Sequence, residues 1–190
     1  MLFRSEMKSQ LSQKLAIFLP TGVSTSTYAD PVNSQLQGTK YLWMTAGHTH
    51  EWGTNFDLYK KNTDGSQGDK IYDGAGLETN SGSYYDNSLG YWDWHHPPIE
   101  YWPDMLPLEF GGSHNSGIIS KAIYNNTTGS PLTFSTQTNG EMQLWYYMYT
   151  DQMPAVVNGI ANNSNKQFQF EVVPNPMNNT VIVKRTAVCF

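Results

Sequence analysis

Short stretches of alternating apolar and polar residues recur along this chain, and turn-forming residues separate them. Alternation with a period of two places successive side chains on opposite faces of a β-strand. The clearest example is a hairpin pattern, in which segments 55–60 and 69–72 flank the turn sequence at 62–65. No segment predicts a helix. The sequence therefore predicts an all-β protein, built as an antiparallel β-sandwich or jelly roll.

Composition and charge indicate where such a protein works and which partners it is expected to lack. Only 14% of the 190 residues are charged, whereas Thr, Ser, Asn, Gly and aromatic residues are abundant, as is typical of secreted or extracytoplasmic β-proteins. The net charge is −5 and basic residues form no cluster, so we expect no nucleic-acid partner. The apolar stretch at 15–19 is too short to cross a bilayer, so we expect no membrane span. Cys189 is the single cysteine, which excludes an internal disulfide.

The chain divides into three parts by composition. Residues 1–38 form a loop-rich N-terminal segment that contributes the first strands of the sandwich, with one strand expected near 14–18 and a loop, with or without one short strand, over 20–39. Residues 39–157 form the main domain, and residues 158–190 are a linker, centred on 158–166, followed by a tail. The first residues read as an entry into a longer chain, so we expect the sequence to be a fragment.

His48 and His50 are the candidate site residues that stand out first. Two histidines at positions i and i+2 of a strand project from the same face, so both imidazoles can reach one metal ion. A thioether from a second strand could supply a third ligand, and such a set suits copper because soft sulfur selects Cu(I). The alternative is a solvated strand face on which the histidines bind nothing.

Other aromatic and histidine positions carry weaker signals. His95 and His96 are adjacent, and neighbouring residues on an extended segment point to opposite faces, so one ion seldom binds both. We expect no metal role for them or for His114. The aromatic residues between 91 and 102 suit either a binding platform or packing at a sandwich edge.

The motifs together resemble a known family. The span 39–151 is similar to the second domain of the copper type II, ascorbate-dependent monooxygenases, the family of peptidylglycine α-hydroxylating monooxygenase and dopamine β-monooxygenase. The resemblance is carried by the His-Thr-His sequence at 48–50, by Glu141-Met142, and by the intervening segments 94–98 and 121–125. It implies one copper ion held by His48, His50 and Met142, with ascorbate as the external reductant and O2 used to hydroxylate a C–H bond.

Departures from the family pattern concern the substrate. Tyr146 matches a substrate-contacting tyrosine of the family, which implies a small-molecule or peptide substrate of unknown identity. Ala46 and Leu144 stand where the peptidylglycine enzyme has an Arg and an Asn that hold the substrate carboxylate. Without the guanidinium a carboxylate loses its bidentate partner, so we do not expect a glycine-extended peptide. A further departure from the family pattern concerns a disulfide. Ala122 and Gln143 stand where the peptidylglycine enzyme has two bonded cysteines, and we expect these two side chains to pack together without a covalent bond.

The family also has an electron-transferring copper domain, with three histidines, before this one. Residues 1–40 contain no histidine, so we expect an upstream second-copper domain in the full-length chain and monooxygenase activity only with it. The alternative is a non-catalytic, secreted copper-binding or adhesion module on the same sandwich. The sequence at 172–176 resembles the opening of the C-terminal sorting domain of proteins exported by the type IX system of Bacteroidetes, which implies a secreted bacterial protein with a truncated tail.

Overall fold

The computed structural model of the protein describes residues 7–30, 36–75, 84–86, 90–111, 116–153, 169–174 and 181–186. Within these residues the strands are β1 (Lys8–Gln13), β2 (Phe18–Leu19), β3 (Gly22–Ala29), β4 (Gly38–His48), β5 (Gly53–Lys61), β6 (Gln67–Asp73), β7 (Tyr84–Asp86), β8 (Ile99–Phe110), β9 (Gly117–Asn126), β10 (Leu132–Thr133), β11 (Leu144–Thr150), β12 (Gln169–Pro174) and β13 (Val181–Thr186). No helix occurs in this part of the chain. The all-β prediction is confirmed.

Two antiparallel sheets form the body of the protein and pack as a sandwich. The five-stranded sheet has the order β1-β11-β4-β8-β7, and the four-stranded sheet has the order β3-β9-β5-β6. Strands β2 and β10 form a short two-stranded ladder of their own. The sandwich prediction is confirmed, whereas the jelly-roll topology stays a prediction.

The core lies between the two sheets. The five-stranded sheet contributes Leu42, Trp145 and Tyr147, and the four-stranded sheet contributes Phe56 and Tyr124, all buried. Neighbouring positions on the same strands are more exposed, as expected when one face of each strand packs inward. The alternation in the sequence therefore sets which side chains fill the core.

The β5–β6 hairpin appears where its sequence predicts it. The N–H of Gly65 donates a hydrogen bond to the carbonyl of Asn62 at 2.9 Å, which closes the turn. Gly65 has a φ of 86°, a conformation that glycine adopts without the steric cost other residues meet. The turn residues therefore account for the position of the hairpin.

The N-terminal region differs from its prediction. The expected strand near 14–18 is replaced by β1, which ends at Gln13, and by the short β2, which begins at Phe18. The N–H of Lys14 donates a hydrogen bond to the carbonyl of Gln143 at 2.9 Å. In the segment 20–39, expected to be a loop with at most one short strand, the eight-residue strand β3 forms and pairs with β9. Strand β3 lies at a sheet edge, where Thr25 and Thr27 are exposed and the more buried alternate positions include Ser24 and Ser26, so it lacks the apolar alternation by which strands are recognised.

The chain forms two compact units, Met1–Pro154 and Ala155–Phe190. Strands β1, β2 and β3 pair with β11, β10 and β9, so they belong to the first unit. In the second unit, β12 pairs antiparallel with β13. The predicted linker over 158–166 lies outside the described residues. None of the described residues form a helix able to span a membrane.

Candidate metal centre

His48 and His50 lie at the end of the central strand β4. His48 is the last residue of that strand, and His50 follows just beyond it. The strand was predicted to include both histidines, but it ends before His50. Their rings are nevertheless neighbours, with centroids 5.5 Å apart and planes at 88°. His48 is half-buried and His50 is only 6% exposed. The structure therefore brings the two predicted imidazoles together.

A buried carboxylate fastens the His50 segment to the Met142 segment. One oxygen of Glu141 accepts hydrogen bonds from the N–H groups of His50 at 2.9 Å and Met142 at 3.1 Å. Its other oxygen accepts from the N–H of Trp52 at 2.9 Å. Glu141 has no exposed surface, and burial raises the pKa of its carboxyl, although the three N–H donors oppose that shift. Glu141 thus sets the position of His50 relative to the main chain of Met142.

The protonation of the histidines suits metal binding. The Nδ1 of His50 lies 2.9 Å from the carbonyl oxygen of Gly140. A carbonyl can only accept, so Nδ1 carries the proton and the lone pair of Nε2 is left for a metal. Burial, with the neighbouring His50 as a second cause, lowers the pKa of His48. The lowered pKa of His48 favours the neutral imidazole that metal ligation requires, and the hydrogen bond of His50 identifies Nε2 as the nitrogen that would face a metal.

Thr49, between the two histidines, anchors their segment to the core. Its Oγ1 accepts a hydrogen bond from the indole N–H of Trp92 at 2.9 Å, and Trp92 stacks on Phe56 with centroids 5.6 Å apart. Glycines on either side allow this close packing. A Cβ at Gly47 would meet the Phe56 ring, and a Cβ at Gly53 would meet Thr49. The His-Thr-His segment is therefore held from its middle residue as well as from Glu141.

Met142 lies just before β11, and its main chain is held on both sides. Its N–H is bound by Glu141, and its carbonyl accepts a hydrogen bond from the Tyr124 hydroxyl at 2.7 Å. Its side chain is half-buried. The described residues contain no group of three or more His, Cys, Asp or Glu side chains able to hold a metal. Among the described residues, a third ligand for these histidines would be of another type, and a thioether is one.

Strand β11 places the predicted substrate residue beside the histidines. Leu144 lies opposite His48 in the antiparallel ladder, and Tyr146 lies opposite Ala46. All four are at least partly exposed, whereas Trp145 between the two β11 positions is buried. Tyr146 and His48 thus share the outward face of the five-stranded sheet, together with Ala46 and Leu144.

Gln143 joins the two sheets where the family has a disulfide. Its side-chain amide donates hydrogen bonds to Ser120 Oγ at 3.0 Å and to the carbonyl of Ser26 at 3.2 Å. Gln143 and Ala122 are both fully buried. These positions are therefore filled by a small apolar residue and a hydrogen-bonded amide.

The remaining histidines lie elsewhere. His95 and His96 do not occupy the expected extended segment, because the chain turns there and both rings approach Asp93, with nitrogen–oxygen distances of 3.5 and 3.1 Å. Both side chains are largely exposed. His114 lies outside the described residues.

Sequence reasoning did not find which groups Glu141 binds, nor the bond between Trp92 and Thr49. The burial of Glu141 depends on contacts with residues such as His50, which lies 91 positions away in the chain. A carboxylate beside a candidate ligand was the only available signal. The Trp92 contact had no signal beyond the aromatic content of its segment.

Two comparisons with known proteins, one with family models and one with curated proteins, give no match. No protein-family model matches the chain, and no curated protein matches it. The functional proposal therefore depends on the sequence motifs and on the geometry of the candidate metal centre.

Proposed function

We propose that this chain is a mononuclear copper-binding domain in which His48, His50 and Met142 hold one copper ion. In this proposal the domain is the catalytic-copper half of an ascorbate-dependent monooxygenase that hydroxylates a C–H bond with O2. The observation that carries it is the Glu141 carboxylate, because one of its oxygens binds the N–H groups of both His50 and Met142. Two predicted ligand segments are thereby joined by a buried contact.

The geometry of the two histidines fits a shared ion. A metal–imidazole bond is about 2 Å long, and rings with centroids 5.5 Å apart are close enough for one ion to contact both. The hydrogen bond from His50 Nδ1 to the Gly140 carbonyl also fixes the ring orientation, as is usual for histidine ligands. These features support a metal role over a solvated strand face.

The residue types indicate what the site would do. Bound copper would supply one-electron chemistry toward O2. The Met142 thioether favours the reduced metal, since soft sulfur prefers Cu(I). Tyr146, on the same outward face as His48, would orient the substrate through its hydroxyl. Ala46 and Leu144 provide no charged partner beside His48, so a glycine-extended peptide is not the expected substrate.

Partners and location follow from the same resemblance. Electrons would come from an upstream second-copper domain in the full-length chain, and the substrate would be a small molecule or peptide. We propose a secreted or extracytoplasmic bacterial protein without a nucleic-acid partner. The alternative function, a copper-binding or adhesion module without turnover, uses the same ligands and differs only in activity.

Copper titration tests the ligand set. The purified chain should bind one Cu(I) per molecule in a competition assay with a chromophoric chelator. Loss of an outer partner of a metal ligand typically weakens affinity about 10–100-fold, so His48→Ala and Met142→Ala should each weaken it by at least about 100-fold. His95→Ala, in an exposed turn, is the matched control and should leave the affinity unchanged. Unchanged affinity in both ligand variants would refute the site.

Oxygen uptake tests the activity separately. Ascorbate-dependent uptake by the copper-loaded chain, above that of free copper, would support a monooxygenase that turns over without its partner. Uptake only after an upstream domain is added would support the two-domain enzyme. No uptake in either case would favour the binding module.

A further inference from the structure

The outward face of the five-stranded sheet is apolar where it adjoins His48. We define the apolar face by the outward side chains Met44, Ala46, Ile99, Leu144, Tyr146 and Met148. Each of these residues is half-buried, whereas the positions between them on β11 point into the core. The apolar face begins beside the candidate metal centre.

The strand register arranges the apolar face in rows. Leu144 lies opposite His48, and on the next rows Tyr146 lies opposite Ala46 and Met148 opposite Met44. Leu11 of β1 extends the Tyr146 row and is 52% exposed. The rows therefore run from the histidine along β4 and β11 without a charged residue.

An aromatic pair lies at the far end of these rows. The ladder between β4 and β8 shifts register between Leu42 and Met44, which is a β-bulge at Trp43. Trp43 meets Tyr101 edge to face, with ring centroids 5.5 Å apart, and Tyr101 lies opposite Met44. Bulges re-aim side chains and are frequent beside binding sites. The bulge therefore adds a half-buried aromatic wall to the apolar face.

The other sheet has the outward face expected in water. There Lys70 pairs with Asp57 at 3.7 Å, and the Lys121 ammonium lies 5.3 Å from the Tyr59 ring centroid. A sheet with one solvated face normally carries polar side chains on that face. The fold therefore does not require apolar side chains on the outside, and a contiguous apolar surface marks a contact site.

We propose that the apolar face binds the substrate of the candidate copper centre, and that the group bound there is uncharged and apolar or aromatic. The inference rests on the proposed function, because continuity with His48 identifies the occupant as a substrate. On β1, β4, β8 and β11 these rows carry no charged partner for an ammonium or a carboxylate; Asp86 of the edge strand β7 lies opposite Ile99, at the margin of the apolar face. Moving a charge from water onto such a surface without a partner is unfavourable, whereas an apolar group gains from the same burial.

Binding of three matched compounds tests the charge preference. The probes are 2-phenylacetamide, phenylacetate and 2-phenylethylamine, which share the ring and differ in charge. With carbon-13 in the methionine methyl groups, NMR of the apo and Cu(I) forms should show shifts at Met44 and Met148 with the neutral amide. The charged compounds should bind at least about tenfold more weakly. Equal or tighter binding of a charged compound would overturn the inference.

Substitutions locate the binding surface. Met148→Lys and the neutral Met148→Gln should each weaken amide binding about tenfold or more and leave Cu(I) affinity within twofold, which also shows that the variants fold. Val23→Lys, on the exposed part of β3, is the control and should change neither. Unchanged amide binding in both Met148 variants would overturn the inference.

The outcomes separate the two proposals. Copper binding without methionine shifts would remove only the substrate inference. Methionine shifts without copper binding would remove the proposed function, and with it the assignment of the ligand as a substrate. A dimer in sedimentation that Met148→Lys dissociates would overturn the inference in a different way, because a second copy would then cover the apolar face.

Discussion

The carboxylate of Glu141 accepts a hydrogen bond of 2.9 Å from the backbone N–H of His50, although the two residues are 91 positions apart in the chain. The same carboxylate binds the N–H groups of Trp52 and Met142, so three main-chain donors depend on one buried side chain. A carboxylate in this position fixes two chain segments through their backbone N–H groups rather than through the ligand side chains. Its replacement should therefore affect both stability and metal affinity.

Glu141→Gln should lower the free energy of unfolding by about 2–4 kcal/mol, because an amide replaces one charge-assisted acceptor oxygen by a donor. Cu(I) affinity should fall about 10–100-fold through the displaced ligand segments. Urea unfolding and chelator competition measure the two effects. Glu51→Gln, an exposed neighbour, is the control and should change stability by less than about 0.5 kcal/mol. A Glu141→Gln protein of normal stability would contradict the described contact.

Thr49→Val tests the anchor between the histidines. Valine keeps the shape of threonine but leaves the buried indole N–H of Trp92 without its acceptor. The expected loss is about 1–3 kcal/mol in the free energy of unfolding, measured by urea titration of tryptophan fluorescence. Thr54→Val, at an exposed position of β5, should cost less than about 0.5 kcal/mol. Equal losses in the two variants would argue against the anchor.

A disulfide between positions 122 and 143 tests the resemblance to the monooxygenase family. Gln143 bonds Ser120, and the hydroxyl of Tyr124 bonds the carbonyl of Met142, so these two contacts bracket Ala122 on β9. Ala122→Cys with Gln143→Cys, in a Cys189→Ser background, should form the bond under mild oxidation. The oxidised form should be about 2–4 kcal/mol more stable than the reduced form of the same protein. Mass spectrometry showing two free thiols after oxidation would count against the predicted placement.

Asp30 should make stability depend on pH. Burial raises its pKa from 3.8 to about 6, against the opposing effects of the hydrogen bond from Ile118 N–H and of Lys61. The folded state therefore holds the proton more tightly than the unfolded chain, so this contribution is complete below pH 4 and is lost as pH rises through 6. The loss should be about 3 kcal/mol.

Urea unfolding between pH 4 and 7.5 measures that loss. Asp30→Asn, which stays neutral, should remove this part of the pH dependence. Asp69→Asn, whose carboxylate is largely exposed, should retain it. An Asp30→Asn protein with the wild-type slope would assign the dependence to other groups.

Local patterns predicted the parts of the fold that depend on near neighbours. The β5–β6 hairpin follows from a turn that includes Gly65. The imidazoles of His48 and His50 are neighbours as predicted, although β4 ends at His48 and does not carry both residues. The length of β3 was not predicted, because its more buried positions include Ser24 and Ser26, so the strand shows no apolar alternation. The end of β4 at His48 was not predicted, because the N–H groups of His50 and Trp52 donate hydrogen bonds to Glu141 instead of to a neighbouring strand.

The remaining features depend on contacts between distant segments. The burial of Glu141 and the bond from Trp92 to Thr49 both join residues more than 40 positions apart, so no local window of sequence contains them. The register of β11 against β4 likewise decides that Tyr146 lies beside Ala46. Sequence reasoning reached the residue types of the candidate site but not the contacts that hold them.

The pairing of β4 with β11 has a kinetic consequence. A long stretch of chain connects the end of β4 at His48 to the start of β11 at Leu144. Closing this chain loop is slow relative to forming a hairpin, because chain entropy opposes the encounter until the ladder forms. The imidazoles of His48 and His50 and the Met142 segment therefore adopt their relative positions only in molecules in which this ladder has closed. In a refolding experiment, the appearance of high-affinity copper binding would mark the completion of the central ladder, later than the formation of the β5–β6 hairpin.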